Sequence, residues 1–532
     1  MAGDSAHYVE ALVCGNGTIA YVGPKAEALA KYPKATAIDL QGRTLLPGFI
    51  DAHGHLFNAG IQALSANLLP PPDGEGTDIE ALIRIANAWW KANPGSVERG
   101  GWVLGFGYDD SQLKERRHPT ATELDRISTE VPVIFLHQSG HLAVMNSAGL
   151  KLAGYTKDTT DPPGGVIRRI AGTREPDGVL EETAMFKPLF SVMGNVDDRG
   201  NEAIVRAGIT AYTSYGFTTA QEGRASGDIC ATFERMAARG DLPIDVDAYP
   251  DLQMAGAYLH EHGVQRAYSG RFRVAGTKLS LDGSPQGKTA WLTKPYVKPP
   301  PGAGHDHVGY PAIANEDEVL ALVDTAYKHN WQLITHCNGD AAMAQYIRAV
   351  RRATDAYGST DSRTVMIHAQ TVREDQLDSM RVLGIIPSFF SMHTFYWGDW
   401  HRDETLGPER AMRISPTGSA LRRGIRFTQH HDAPVAKPDA IRVLWCTVNR
   451  VSRSGEVIGA DQRVSPYIAL KAITEWAAWQ GFTEDRKGTL EPGKLADLVV
   501  LDKNPLKVDP MAIQDIVVLE TIKEGRTIYK RP

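Results

Sequence analysis

The chain has 532 residues, 42% of them hydrophobic and 23% charged, with a formal net charge of −6. That composition is ordinary for a globular protein, long enough for one large domain of about 250 residues or more plus smaller ones. It excludes a basic nucleic-acid footprint, and no apolar run nears the ~18 residues of a membrane span. The four cysteines (Cys14, Cys230, Cys337, Cys446) are scattered without a Cys-x-x-Cys pair, so they read as buried free thiols and not as a disulfide framework or a zinc knuckle.

In chain order, the N-terminus Met1-Ala2-Gly3-Asp4 has neither the basic nor the apolar region of an export signal, and the expected location is cytoplasmic. Positions 9–14 and 18–22 alternate around Asn16-Gly17, a type I′ hairpin signal. An apolar strand over 49–52 runs straight into His53-Gly54-His55. From 56 to about 195 the spacing is too long for one crossover. This stretch holds a helix near 79–91 and apolar stretches at 102–105 and 131–136, and reads as an α+β insertion. Strands follow at 218–221, 245–249, 274–281, 332–335, 364–367, 385–389 and 426–429. Amphipathic helices at 316–329, 340–356 and 374–383 separate several of them, as in a parallel sheet.

Eight such units predict an α/β fold, a (β/α)8 TIM-type barrel. An open doubly wound sheet is the alternative, but no Gly-x-Gly-x-x-Gly follows an early strand. At the C-terminus 498–501, 516–521 and 527–529 are β-rich. These segments and the N-terminal hairpin are each too small to fold alone, so they are expected to combine. The expected domains are therefore a composite β-sandwich over 1–46 and 485–532, a barrel over 47–55 and 196–484, and an insertion over 56–195. Inserted after the first barrel strand, that segment would cover the active-site face.

Alternate residues of a strand share a face, so His53 and His55 can reach one metal ion. The spacing alone is weak. Chance gives roughly half a His-x-His in a chain of this composition, and here there are three. His260-Glu261-His262 ends a helix before Gly263, where imidazolium suits the helix dipole. His305-Asp306-His307 sits in the Pro/Gly-rich stretch 298–311, read as a solvated loop. Only His53 and His55 follow an apolar strand. Further candidates end other strands: His336, His368 and Asp432, with Lys278 inside the fourth. A lone strand-end histidine is more often a packing or capping residue. Four strands ending in metal-type residues are a stronger signal, because barrel strand ends converge on one mouth.

This order resembles the amidohydrolase superfamily: His-x-His on strand one, lysine on four, histidines on five and six, aspartate on eight. Longer motifs are similar to its YtcJ-like branch, which includes N-substituted formamide deformylases. They include 47–55 (PGFIDAHGH), Gly140-His141, Asn146-Ser147-Ala148, 162–165 (PPGG), 278–284 (KLSLDGS), His368-Ala369-Gln370, 432–435 (DAPV) and 488–499 (GTLEPGKLADLV). The resemblance covers nearly the whole chain. It implies two divalent metal ions, zinc or alternatively manganese. His53, His55 and Asp432 would hold one, and His336 and His368 the other. Lys278 would be carboxylated and bridge them. The other reading of Lys278 is an ordinary amine paired with a carboxylate.

The implied activity is hydrolysis of a non-peptide C–N bond in a small-molecule amide, with an N-substituted formamide or N-acyl amine as leading substrate. Metal-activated hydroxide would attack the carbonyl, with Asp432 as general base and then general acid. Ester or lactone hydrolysis at the same site is the near alternative. A non-catalytic barrel scaffold is the other class, though such proteins lose metal ligands and this chain keeps all six.

For substrate contacts the candidates are His141 in the insertion, alternatively a capping residue, and His393, Tyr396 and Trp397 in an aromatic segment after strand seven. That segment would line an apolar pocket, anchor a loop or form a homodimer contact. Of His430 and His431, alternation places at most one near the metals. Two departures from the family stand out. Gln429-His430-His431-Asp432 replaces the usual Gly-Ser-Asp, and an expected strand before Tyr8 is missing. If the start is shortened, a lost leader would make the protein periplasmic or secreted.

Overall fold

The computed structural model describes residues 3, 5–193, 196–300, 302–358 and 361–532. It is an α/β protein, and the eight expected strands all occur. One parallel sheet runs Phe272–Val274, Asp245–Pro250, Phe217–Ala225, Phe49–Ile50. A second runs Thr277–Ser280, Leu333–Cys337, Val365–His368, Ile386–Phe389, Thr428–Gln429. The two meet at both ends. Asp251 bridges Lys278 in parallel, and the Asp432 N–H donates to the His53 carbonyl at 3.2 Å.

The fourth strand is not the continuous 274–281 run of the sequence reading. It breaks between Val274 and Thr277. Gly276 lies so close to the Gln332 carbonyl and the Tyr249 ring that a Cβ there would meet the carbonyl oxygen at 2.3 Å.

The insertion has its own six-stranded mixed sheet, in the order Ala66–Asn67, Val103–Tyr108, Val133–His137, Leu142–Met145, Pro176–Glu182, Gly165–Arg169. Separate apolar clusters cover it, one built on Leu82, Val103 and Phe135 and another on Trp102, Ile134 and Leu180. Helix Ile79–Ala92 starts where expected because the Asp78 side chain accepts the Ala81 N–H. Helix Leu56–Ala63 falls inside the expected insertion, yet it packs on Asp198–Ser214 beside the parallel strands. Two glycines allow this approach: a Cβ on Gly60 would sit 1.9 Å from the Ile204 carbonyl oxygen, and one on Gly208 2.3 Å from that of Leu56.

Strands from both ends of the chain pair, while the N-terminal hairpin forms a two-stranded sheet of its own. Leu498–Leu501 pairs antiparallel with Thr44–Pro47 and with Val518–Lys523, which pairs with Arg526–Lys530. The hairpin Ala11–Gly15/Thr18–Gly23 turns through Asn16 and Gly17, both at positive φ, and the Ile19 N–H donates to the Lys494 carbonyl. Cys230, Cys337 and Cys446 are buried free thiols, while Cys14 is exposed. Among the described residues, no helix is long and apolar enough to cross a membrane.

Candidate metal centre

The ends of the first and eighth strands are sewn together by backbone. The His55 N–H donates to the Ala433 carbonyl at 2.8 Å and the Asp432 N–H to that of His53. This puts Asp432 Oδ1 3.5 Å from His53 Nε2 and 3.4 Å from His55 Nε2. The other predicted ligands join the same group. Lys278 Nζ lies 3.2 Å from His53 Nε2. His336 Nδ1 lies 3.1 Å from His368 Nε2, which is 3.8 Å from Asp432 Oδ2. All six sequence-predicted ligand residues therefore converge. His368 (φ 69°) and Asp432 (φ 54°) are both left-handed, a conformation that costs a non-glycine residue about 1–3 kcal/mol and clusters at functional sites.

Neighbouring groups orient the rings. His53 Nδ1 is 2.7 Å from Gln221 Oε1, and the amide end of Gln221 donates to the Ala52 carbonyl. The Gln221 oxygen is thus the acceptor, Nδ1 carries the proton, and Nε2 keeps its lone pair. His336 Nε2 faces the Gly283 carbonyl at 3.1 Å, which leaves the lone pair on Nδ1. His368 Nδ1 meets His430 Nε2 at 3.1 Å, and His430 Nδ1 meets Ser388 Oγ at 2.9 Å. Outer partners of this kind fix the tautomer and basicity of metal-binding imidazoles.

The donor set fits a divalent cation. Asp432 Oδ1 and His55 Nδ1 are buried without a hydrogen-bond partner. The 3.4 and 3.5 Å spacings around Asp432 Oδ1 match the roughly 3.3 Å edge of a tetrahedral shell with bonds of ~2.0–2.1 Å. His53, His55 and Asp432 form one compact ligand group.

The electrostatics agree. Burial, with Lys278 beside it, drives His53 well below the usual imidazole range, and burial does the same to His336 and His368. Burial pushes Asp432 up, but the imidazoles of His368, His55 and His53 outweigh it and hold the carboxyl well below its usual range. Burial pulls His55 down, yet Asp432 and Glu222 outweigh it and leave it raised. Lys278 is pushed down to about 8, chiefly by burial. Neutral imidazoles and an ionised carboxylate are the forms that bind metal.

A second cluster of Asp109, Asp110 and His137 lies in the insertion, but its atoms are committed to one another. Asp109 accepts from Ser111 and from the Trp397 indole. His137 Nδ1 accepts the Ser139 N–H, so its proton is on Nε2, 3.0 Å from Asp110 Oδ1. These bonds account for the cluster as a hydrogen-bonded network that fastens helix His393–Trp400 to the insertion.

Of the predicted substrate contacts, His141 reaches the centre. Its ring centroid is 5.6 Å from that of His336, and its Nδ1 is 2.8 Å from Glu182 Oε2. His393 is buried with its ring 6.3 Å from that of His368. The aromatic segment is not a loop but the helix His393–Trp400. Tyr396 donates to Asp73 and Trp397 to Asp109 at 2.7 Å, so their polar atoms anchor this helix to the insertion. Anchoring is one of the three roles expected for this segment. Of the strand-eight pair, His430 faces the centre. His431 faces Asp51 at 3.3 Å and packs on Tyr212 and Phe217.

The other His-x-His pairs bond elsewhere. His260 packs on His329 and Trp331, His262 stacks on Tyr258, and His307 bonds the Lys288 carbonyl. Sequence reasoning missed Gln221, Glu222 and Glu182. The first two lie on strand two, Phe217–Ala225, beside the end of strand one, and polar residues inside an apolar strand were the available signal. Glu182 had none.

The model of the amidohydrolase family matches residues 36–529. The chain belongs to the amidohydrolase family. Within it, the chain is similar to N-substituted formamide deformylase of Arthrobacter pascens, at 26% identity over 541 residues covering 98% of this chain and 95% of the relative. It is equally similar to YtcJ of Bacillus subtilis, at 25% over 544 residues covering 98% and 96%. The expected YtcJ-like branch is therefore borne out. Among solved structures, an uncharacterized metal-dependent hydrolase of Pyrococcus furiosus shares this amidohydrolase's fold with a TM-score of 0.72 at 24% identity, covering 94% of this chain and 96% of that one.

Proposed function

We propose that this amidohydrolase cleaves a non-peptide C–N bond of a small-molecule amide, with N-substituted formamides and N-acyl amines as leading substrates. The observation that carries the reading is the convergence of His53, His55, Lys278, His336, His368 and Asp432, with an unbonded Asp432 Oδ1 at its heart. The eight strands then form a closed (β/α)8 barrel. The chain ends make a composite β-sandwich, and the region near 56–195 roofs the mouth.

His53, His55 and Asp432 would hold one divalent ion, and His336 and His368 a second. Zinc suits the donors, with manganese as a substitute. A carboxylated Lys278 would bridge them. Its buried, readily deprotonated amine supports this, since the neutral amine is the form that takes up CO2. When bound, the ions polarise the scissile carbonyl and lower the pKa of water.

The chain's own residues do the rest. Asp432 accepts a proton from the attacking water and returns it to the departing nitrogen, which cannot leave as an amine anion. Burial keeps His53, His336 and His368 neutral, and Gln221, Gly283 and His430 at their outer nitrogens orient the rings. His141 and His393 contact the substrate. Ester or lactone hydrolysis is the second reading, because the same groups serve either acyl transfer.

The test is a hydrolysis screen over formanilides, N-acyl amino acids, cyclic imides and aryl esters, with metal content measured in parallel. Amide turnover with close to two metal equivalents is expected. Protein that holds no metal and gains no activity from zinc or manganese would refute the reading.

A further inference from the structure

The insertion brings a histidine–carboxylate pair to the centre. His141 Nδ1 lies 2.8 Å from Glu182 Oε2, and the Glu182 N–H donates to the His141 carbonyl at 2.9 Å. The adjoining strands Leu142–Met145 and Pro176–Glu182 pair antiparallel. Side chains and backbone therefore hold the two residues together. Glu182 adopts φ 48°, a rare and costly conformation for a residue with a long side chain. Its other oxygen, Oε1, is buried with no hydrogen-bond partner. Oε1 lies close against residue 283, where a Cβ would sit 2.6 Å from it. The Gly283 carbonyl in turn faces His336 Nε2. Glu182 is thus wedged between His141 and the loop that orients His336.

A carboxylate only accepts hydrogen bonds, so His141 Nδ1 carries a proton. In the neutral ring Nε2 then has a free lone pair, and no described residue bonds it. The proposed metal ligands are taken up by one another and by the ions. His141 Nε2 is therefore an acceptor open to the organic substrate.

We propose that Glu182 is a positioning residue that fixes this tautomer, and that His141 Nε2 takes a hydrogen bond from the N–H of a secondary amide. The inference rests on the amide-hydrolase reading and deepens it. It selects N-monosubstituted amides over N,N-disubstituted amides and over esters, neither of which has that N–H.

The tautomer is tested directly by ¹⁵N NMR of histidine-labelled full-length protein, with His141 assigned by its loss in His141→Gln. The Nδ1–H form is expected in the wild type and in Glu182→Gln, which keeps an acceptor, but not in Glu182→Leu. The selectivity is tested with an anilide, its N-methyl analogue and the matching aryl ester. Wild type should favour the anilide over its N-methyl analogue by about tenfold or more in kcat/KM. Glu182→Leu should pull that ratio toward one and Glu182→Gln should restore it. A tautomer or ratio indifferent to Glu182→Leu overturns the pair alone. Failure of metal-loaded protein to turn over any of the three compounds overturns the hydrolase reading and the substrate half of this inference, while the NMR result still decides the role of Glu182.

Discussion

Lys278 Nζ lies 3.2 Å from Nε2 of His53, although 225 residues separate them in sequence. Both side chains are buried. An ammonium in that position would repel a cation, so the metal reading requires the amine to lose its proton and be modified. Burial already pushes it down to about 8.

Two outcomes follow for Lys278. Lys278→Met should lower the metal content and reduce turnover at least about 100-fold, more than loss of an outer partner costs. In metal-free protein the neutral amine grows as pH rises through the lowered pKa. Uptake of ¹³C-labelled CO2, read by ¹³C NMR, should therefore climb between about pH 7 and pH 9 and not near the usual lysine value of about 10.4. Metal and turnover equal to wild type in Lys278→Met would remove Lys278 from the centre.

Asp432→Asn keeps an oxygen near His53 and His55 but cannot accept a proton. The variant should retain close to two metal equivalents while kcat falls by about 10²- to 10⁴-fold. Parallel metal analysis and steady-state kinetics decide it. An active variant would move the general base elsewhere.

Asp245, on the third parallel strand, accepts from both Lys487 and Lys523, and Lys523 also pairs with Asp497 at 2.7 Å. The four buried groups tie the terminal β segments to the parallel strands. Burial pushes the Asp245 carboxyl up, but the two ammonium groups outweigh it and hold it well below the usual range. A depressed carboxyl stabilises the fold above its unfolded pKa of about 3.9 and loses that stability as pH falls toward its folded value. Asp245→Asn leaves the two lysines short of a counter-charge and should cost about 3–5 kcal/mol near neutrality. The gap in thermal midpoint between variant and wild type should close as pH drops below about 4. A constant gap would refute the electrostatic account.

Trp397→Phe removes the indole bond to Asp109 while keeping most of the ring volume. Leaving the buried Asp109 oxygen unpaired should cost about 1–3 kcal/mol, visible as a lower thermal midpoint, with KM nearly unchanged. A raised KM at an unchanged midpoint would return Trp397 to the substrate pocket.

The amino-acid order alone determined the parallel strands, the terminal hairpin and the candidate ligand residues. Each is written locally: period-two apolar runs, Asn16-Gly17 with positive φ, and metal-type residues placed where strands end. His53 and His55 stand out because one strand carries both. Lys278, His336, His368 and Asp432 stand out because their strands end in family order.

The tertiary structure decided everything that depends on which atoms meet within about 3 Å. It broke the fourth strand at Gly276 and seated helix Leu56–Ala63 on Asp198–Ser214 through Gly60 and Gly208. It turned the aromatic segment into a helix anchored on Asp73 and Asp109. It chose His430 over His431 as the partner of His368. Glu182, 41 residues from His141, became that histidine's partner only when two strands of the insertion paired. Periodicity and turn chemistry act over a few residues and can be read along the chain. The proton on a histidine ring is set by a single acceptor that packing brings close, and that leaves no local pattern in the sequence.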